Sequence, residues 1–262
     1  MTNLRRLALA LLLSGTPAAW GQTIHLLTVG DTLDANIGSG TAANNKQITD
    51  FITKAAAEMK LTLSSQDISG TSFSCQKIKE AVVAMQAKED DVVIFYYSGH
   101  GFRTQSNVSK FPELYCGEEA FAGKAPRLID IASQLKQKGA RLTITVADSC
   151  NVLDTQPQPP KGAGAIASLP VSRLKQYRSL FLRHKGTLTM SGSVKGQYSW
   201  YYPTNGLFTR QLIGALEVAT QPDREGLWTE VLAVALTEIQ VTLPSATVRQ
   251  TPESDAQLAL LP

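Results

Sequence analysis

The chain has 262 residues, 43% of them hydrophobic and 18% charged. That is enough apolar material for one sizeable core, and it excludes a disordered tail, a collagen and a disulfide-framework miniprotein. The formal net charge is +3, and Arg5 and Arg6 supply two of those charges, so little is left to attract nucleic acid.

Those two arginines open a secretory leader. They form a positive n-region, Leu7 to Leu13 an apolar h-region, and Ala19-Trp20-Gly21 a small-x-small cleavage site. Cleavage after Gly21 leaves residues 22–262 as the expected mature chain, exported to the periplasm or secreted. The h-region is too short to span a bilayer and no later run approaches ~20 apolar residues, so no transmembrane segment is expected once the leader is gone.

Ile24 to Val29 (IHLLTV) is a short apolar run ending at Gly30, which predicts a buried strand and a turn. Ile48, Phe51, Ile52, Ala55 and Met59 recur at helical spacing, and a second helix is expected near Ile78 to Met85. Val92 to Tyr97 (VVIFYY) reads as a strand covered on both faces. A helix from about Leu128 to Lys138 stops at Gly139, and Leu142 to Ala147 (LTITVA) predicts the next buried strand. Residues 154–170 are rich in proline and glycine, which suits an exposed linker. A strand at Thr187 to Met190, a helix from Leu207 to Val218 and a helical segment near Leu227 to Gln240 follow. Val241 to Pro262 carries too little pattern for an assignment. Strands alternating with helices predict an α/β fold, a mostly parallel sheet with helices on both faces.

Such sheets place their chemistry beyond the carboxyl ends of the strands. The two buried strands end at Ser98-Gly99-His100-Gly101 and at Asp148-Ser149-Cys150. Cysteines number three (Cys75, Cys116, Cys150), so an exported chain leaves at least one thiol free or paired between chains. A pairing of Cys75 with Cys116 would leave Cys150 as that thiol. A hydrolytic cysteine needs an imidazole to take its proton. Of the three histidines, His25 lies inside an apolar run as a core or sheet-edge residue, and His184, between Arg183 and Lys185, is expected in solvent. His100 sits between two glycines at a strand end, where the amides of Gly101 and Cys150 can face a developing oxyanion. No Gly-x-Ser-x-Gly elbow, Cys-x-x-Cys, phosphate loop or cluster of metal ligands competes with this pair.

The two strand-end signatures resemble the catalytic motifs of the caspase, metacaspase and paracaspase group of cysteine peptidases. His100 and Cys150 stand 50 residues apart, close to the roughly 50 of caspases. Ser191 to Trp200 (SGSVKGQYSW) and Gly206-Leu207-Phe208-Thr209 resemble the small-subunit stretch that pairs with bound peptide. The resemblance implies a single caspase-like domain over 22–262, with a large-subunit-like half (22–153), the linker and a small-subunit-like half (171–262). It implies Cys150 as nucleophile, His100 as acid/base, Gly101 as oxyanion donor, and Tyr198, Ser199 and Trp200 beside the peptide.

Caspases that cut after aspartate carry an arginine where this chain has Tyr201. Metacaspases and paracaspases cut after Arg or Lys and place an aspartate two residues before the nucleophile, which is Asp148 here. Asp148, with Ser98 beside it, is therefore the expected pocket for a basic residue. Asp31, Asp34 and Asp50 are the candidates for a second acidic pocket residue. Lys161 in the linker is a candidate self-processing site, a plain connector being the simpler reading. The expected partner is a peptide or protein substrate. No cofactor or metal is required by these residues, and calcium activation, common in metacaspases, is not readable from them. The rival reading is a catalytically silent caspase-like binding or scaffold module.

Overall fold

A computed structural model describes residues 21–153, 172–201, 205–242 and 247–262. The leader, the linker and its Lys161 lie outside the described residues. In chain order the elements are β1 (Thr23–Gly30), α1 (Gly38–Met59), β2 (Thr62–Ser69), α2 (Cys75–Ala84), β3 (Val92–Ser98), β4 (Gly101–Phe102) and β5 (Glu113–Leu114). Then come α3 (Leu128–Lys136), β6 (Leu142–Asp148), α4 (Leu174–Leu182), β7 (His184–Ser191), α5 (Leu207–Ala219), α6 (Trp228–Ala235), β8 (Ile239–Thr242), β9 (Thr247–Gln250) and β10 (Glu253–Leu260).

Six strands form the central sheet in the order β10-β7-β6-β3-β1-β2. All neighbours are parallel except β10, which closes one edge antiparallel to β7. Alternation along each strand splits the core into two layers. Ile24, Leu26, Ile94, Tyr96, Ile144, Val146 and Met190 face α1, α4, α5 and α6. Leu27, Val29, Val93, Phe95 and Tyr97 face α2 and α3. Both faces are thus covered, which is why β3 and β6 are apolar without interruption. Each fully buried aliphatic or aromatic side chain contributes about 1.5–3 kcal/mol. No helix among the described residues is long and apolar enough to cross a membrane.

Several sequence expectations are corrected. The edge strand β2 was not foreseen, because only Ile68 of TLSSQDIS is buried and no apolar pattern survives. The helical segment expected to run to Gln240 ends at Ala235, and Ile239 already belongs to β8. The unassigned tail supplies β9 and the edge strand β10. His184 is buried, not in solvent. It opens β7, where residues alternate sides, so Arg183 and Lys185 point outward while its Nδ1 lies 2.9 Å from the Ser179 carbonyl oxygen. Burial lowers its pKa. His25 is partly buried on β1, paired on both sides with β2 and β3, its Nε2 3.1 Å from Asp91.

Candidate active site

Parallel pairing delivers four chain ends to one edge of the sheet. The register sets Gly30 beside Ser98, Ser98 beside Asp148, and Ala147 beside Ser191. The loops leaving β1, β3, β6 and β7 therefore meet, and they carry Asp34, His100, Cys150 and Ser199. Between β1 and β3 the strand order reverses direction, the place where open α/β sheets form their crevice.

His100 is fixed from both ends. Its carbonyl oxygen accepts from the Tyr115 amide at 3.1 Å and lies 2.5 Å from the Tyr97 hydroxyl. The Tyr115 ring stands edge-on to the imidazole at 6.0 Å. At the ring, Nε2 lies 3.1 Å from Asp34 Oδ2. Asp34 Oδ1 in turn accepts from the amides of Asn36 (2.6 Å) and Ile37 (2.8 Å). Burial works to raise the Asp34 carboxyl, but those amides and His100 outweigh it and hold the group below its ordinary value. Of the three acidic candidates, Asp34 thus bonds the histidine. Asp31 sits beside it, raised by burial and by the Asp34 charge. Asp50 is an exposed partner of Lys46, away from the site.

Cys150 is 5% exposed, and its thiol points at the Ser199 carbonyl oxygen at 3.6 Å, not at the imidazole. Burial pushes the thiol up to about 12, which favours the protonated form. Gly101 packs directly on this residue. A Cβ at Gly101 would come to 2.5 Å of the Cys150 carbonyl oxygen and 2.6 Å of Ser149 Oγ, so only glycine fits. Cys75 and Cys116 are joined in a disulfide, which leaves Cys150 as the free thiol.

Asp148 is wholly buried. Oδ1 accepts from Ser199 Oγ at 2.5 Å, and Oδ2 accepts from the Thr209 amide at 2.9 Å and Thr209 Oγ1 at 2.5 Å. Burial raises its pKa against those three donors. Among the described residues no lysine, arginine or histidine forms an ion pair with it. Ser98, equally buried, accepts from Asn44 Nδ2 at 2.9 Å and shares a 2.7 Å hydrogen bond with the Tyr201 hydroxyl. Asn44 Oδ1 accepts from the Gly206 amide at 3.0 Å, and Gly206 pairs its backbone with Tyr201.

Sequence reasoning missed Asn44 and Gln250, and it placed Thr209 within a motif without assigning it to Asp148. Gln250 is fully buried on β9 and braces the segment over Cys150: its Oε1 accepts from the Trp200 amide (2.9 Å), and its Nε2 donates to Ser199 Oγ (2.8 Å) and to the Gly192 carbonyl (2.7 Å). Nothing in a polar β-segment flags such a brace. Ser199 touches Cys150 through its carbonyl and Asp148 through its hydroxyl. Trp200 packs against the main core, and its ring meets that of Tyr198 at 6.0 Å. Lys161 is outside the described residues.

A family model described as the caspase domain matches residues 39–259. No curated protein matches the chain. Among solved structures, protein GSU0716 from Geobacter sulfurreducens is 18% identical, with 92% of this chain and 94% of that one covered and a TM-score of 0.48.

Proposed function

Because the chain belongs to the caspase-domain family of cysteine peptidases, we propose that it is an exported cysteine endopeptidase that cuts peptides after arginine or lysine. The observation that carries the reading is the register that sets Ser98 beside Asp148, with His100 and Cys150 each two residues further on. The Cys75–Cys116 disulfide supports a life outside a reducing cytosol.

Asp34 engages Nε2 of His100, which leaves Nδ1 to take the Cys150 proton. As the S–H bond breaks, sulfur bonds the scissile carbonyl carbon, and the carbonyl electron pair moves onto oxygen, facing the amides of Gly101 and Cys150. The oxyanion collapses, the C–N bond breaks, and the imidazolium returns its proton to the leaving amine. Water, deprotonated by the same imidazole, then releases the acyl group from sulfur.

The preference for a basic residue follows from Asp148. A buried carboxylate with hydrogen bonds but no cation is a costly arrangement. An incoming guanidinium or ammonium supplies the missing charge. Because burial raises the Asp148 pKa, the carboxylate is the binding form only above that raised value, so KM for basic substrates rises as the medium is acidified.

The test is hydrolysis of fluorogenic peptides ending in Arg, Lys, Asp or Ala by residues 22–262, beside Cys150→Ala and with or without calcium. Cleavage after Arg or Lys that vanishes in Cys150→Ala is the expected result. Cleavage after Asp overturns the pocket assignment and keeps the mechanism. No turnover, with Cys150 inert toward peptide electrophiles, leaves a silent binding module as the function.

A further inference from the structure

Tyr201 is a large side chain at the site that the mechanism above leaves idle. It is 8% exposed. Its hydroxyl reaches the foot of the crevice and shares the hydrogen of a 2.7 Å bond with Ser98 Oγ, the residue in register with Asp148. Its backbone is pinned to Gly206, which lies so close over Asp148 and Asn44 that a Cβ has no room. Burial first, and the Asp148 charge after it, raise its proton affinity.

We propose that Tyr201 occupies, in the resting enzyme, the space that a basic substrate side chain takes to reach Asp148, and that its displacement sets the threshold for access to the site. This rests on the reading of Asp148 as the pocket anion. The phenol fills the volume with its ring and satisfies Ser98 with its hydroxyl, but it brings no positive charge to Asp148. An arginine or lysine side chain does all three: its stem fills the volume, its head donates to Ser98, and its charge pairs with the carboxylate. A small apolar or acidic side chain does not recover what is lost when Tyr201 leaves. The same segment supplies the Ser199 carbonyl that accepts from the Cys150 thiol, so its displacement also uncovers the nucleophile.

The experiment compares wild type, Tyr201→Ala and Tyr201→Phe in two readouts. One is hydrolysis of peptides ending in Arg and in Ala. The other is alkylation of Cys150 by iodoacetamide, which needs no turnover. Removing the ring is expected to speed alkylation about ten-fold or more and to raise kcat/KM for both peptides by about the same factor, leaving the Arg-over-Ala preference to the contacts with Asp148. Removing the hydroxyl alone is expected to speed alkylation by roughly two- to three-fold, the worth of a lost neutral hydrogen bond in part compensated by water. Equal alkylation and equal kcat/KM in all three proteins overturn the proposal. Should Tyr201→Ala lose its circular dichroism signature of folding, Tyr201→Phe decides, and an alkylation rate identical to wild type overturns it. If no protein hydrolyses any peptide, the peptidase reading falls, and the alkylation rates alone sustain or overturn the role of Tyr201.

Discussion

Asp34 holds its two oxygens to different tasks, one accepting from the Asn36 and Ile37 amides and the other facing His100 Nε2. Asparagine at this position keeps a carbonyl oxygen for the two amides and removes the charge, so Asp34→Asn isolates what the carboxylate does for the imidazole. Its loss leaves the imidazolium of the transition state uncompensated. We expect kcat/KM to fall about 10- to 100-fold, less than for a buried triad aspartate because this side chain is partly solvated, with Asp34→Glu recovering part of the loss. Stability carries a second signature. The folded carboxyl lies below its ordinary value, so its contribution is present above the unfolded pKa and is lost as pH falls through the folded one. The stability difference between wild type and Asp34→Asn should therefore be largest near neutrality and vanish in acid, as measured by denaturant titration across pH. A gap that persists below the carboxylate range contradicts this assignment. The sequence offered Asp34 only as one of three pocket acids, since its partner comes from a strand end 66 residues away.

Helix α2 is tied to the chain beyond β5 by Cys75–Cys116, which closes a loop spanning 41 residues. Cys116 follows Tyr115, whose ring and amide hold His100, so the bond steadies the histidine's neighbourhood through an element that carries no catalytic group. Loop-closure entropy gives the bond ~4 kcal/mol. Replacing both cysteines by serine should remove about that much stability in urea unfolding, with peptide hydrolysis by the folded fraction retained. A variant as stable as wild type would show that the bond contributes nothing to the folded state. Elements of this sheet were legible in proportion to their burial. β3 and β6, covered on both faces, announce themselves as unbroken apolar runs and carry His100 and Cys150 at their ends. β2 and β10 sit at the two edges, mostly exposed along their lengths. What defines them is main-chain pairing with β1 and β7, which leaves no trace in side-chain pattern. Gln250 was invisible for a related reason, its role being set by where β9 ends and not by its neighbours in sequence.

At the scale of the whole molecule, the chain before residue 153 and the chain after residue 172 do not form separate bodies. β6 of the first lies parallel to β7 of the second, Leu142 against Gly186 through Ala147 against Ser191. One core layer mixes strand residues Ile94 and Ile144 with Tyr177, Phe181, Phe208, Leu212 and Trp228. The site is shared in the same way: His100 and Cys150 come from the first half, while Ser199, Tyr201, Thr209 and Gln250 come from the second. A single backbone cut between the halves removes a tether without removing any of these contacts, and burial of this extent is worth far more than the loop-closure entropy that the tether provides. With a site-specific protease sequence inserted at Lys161 and cleaved, the two fragments should elute as one species from a native sizing column and separate only in denaturant. Two native peaks would mean that the linker, not the shared sheet, holds the halves together.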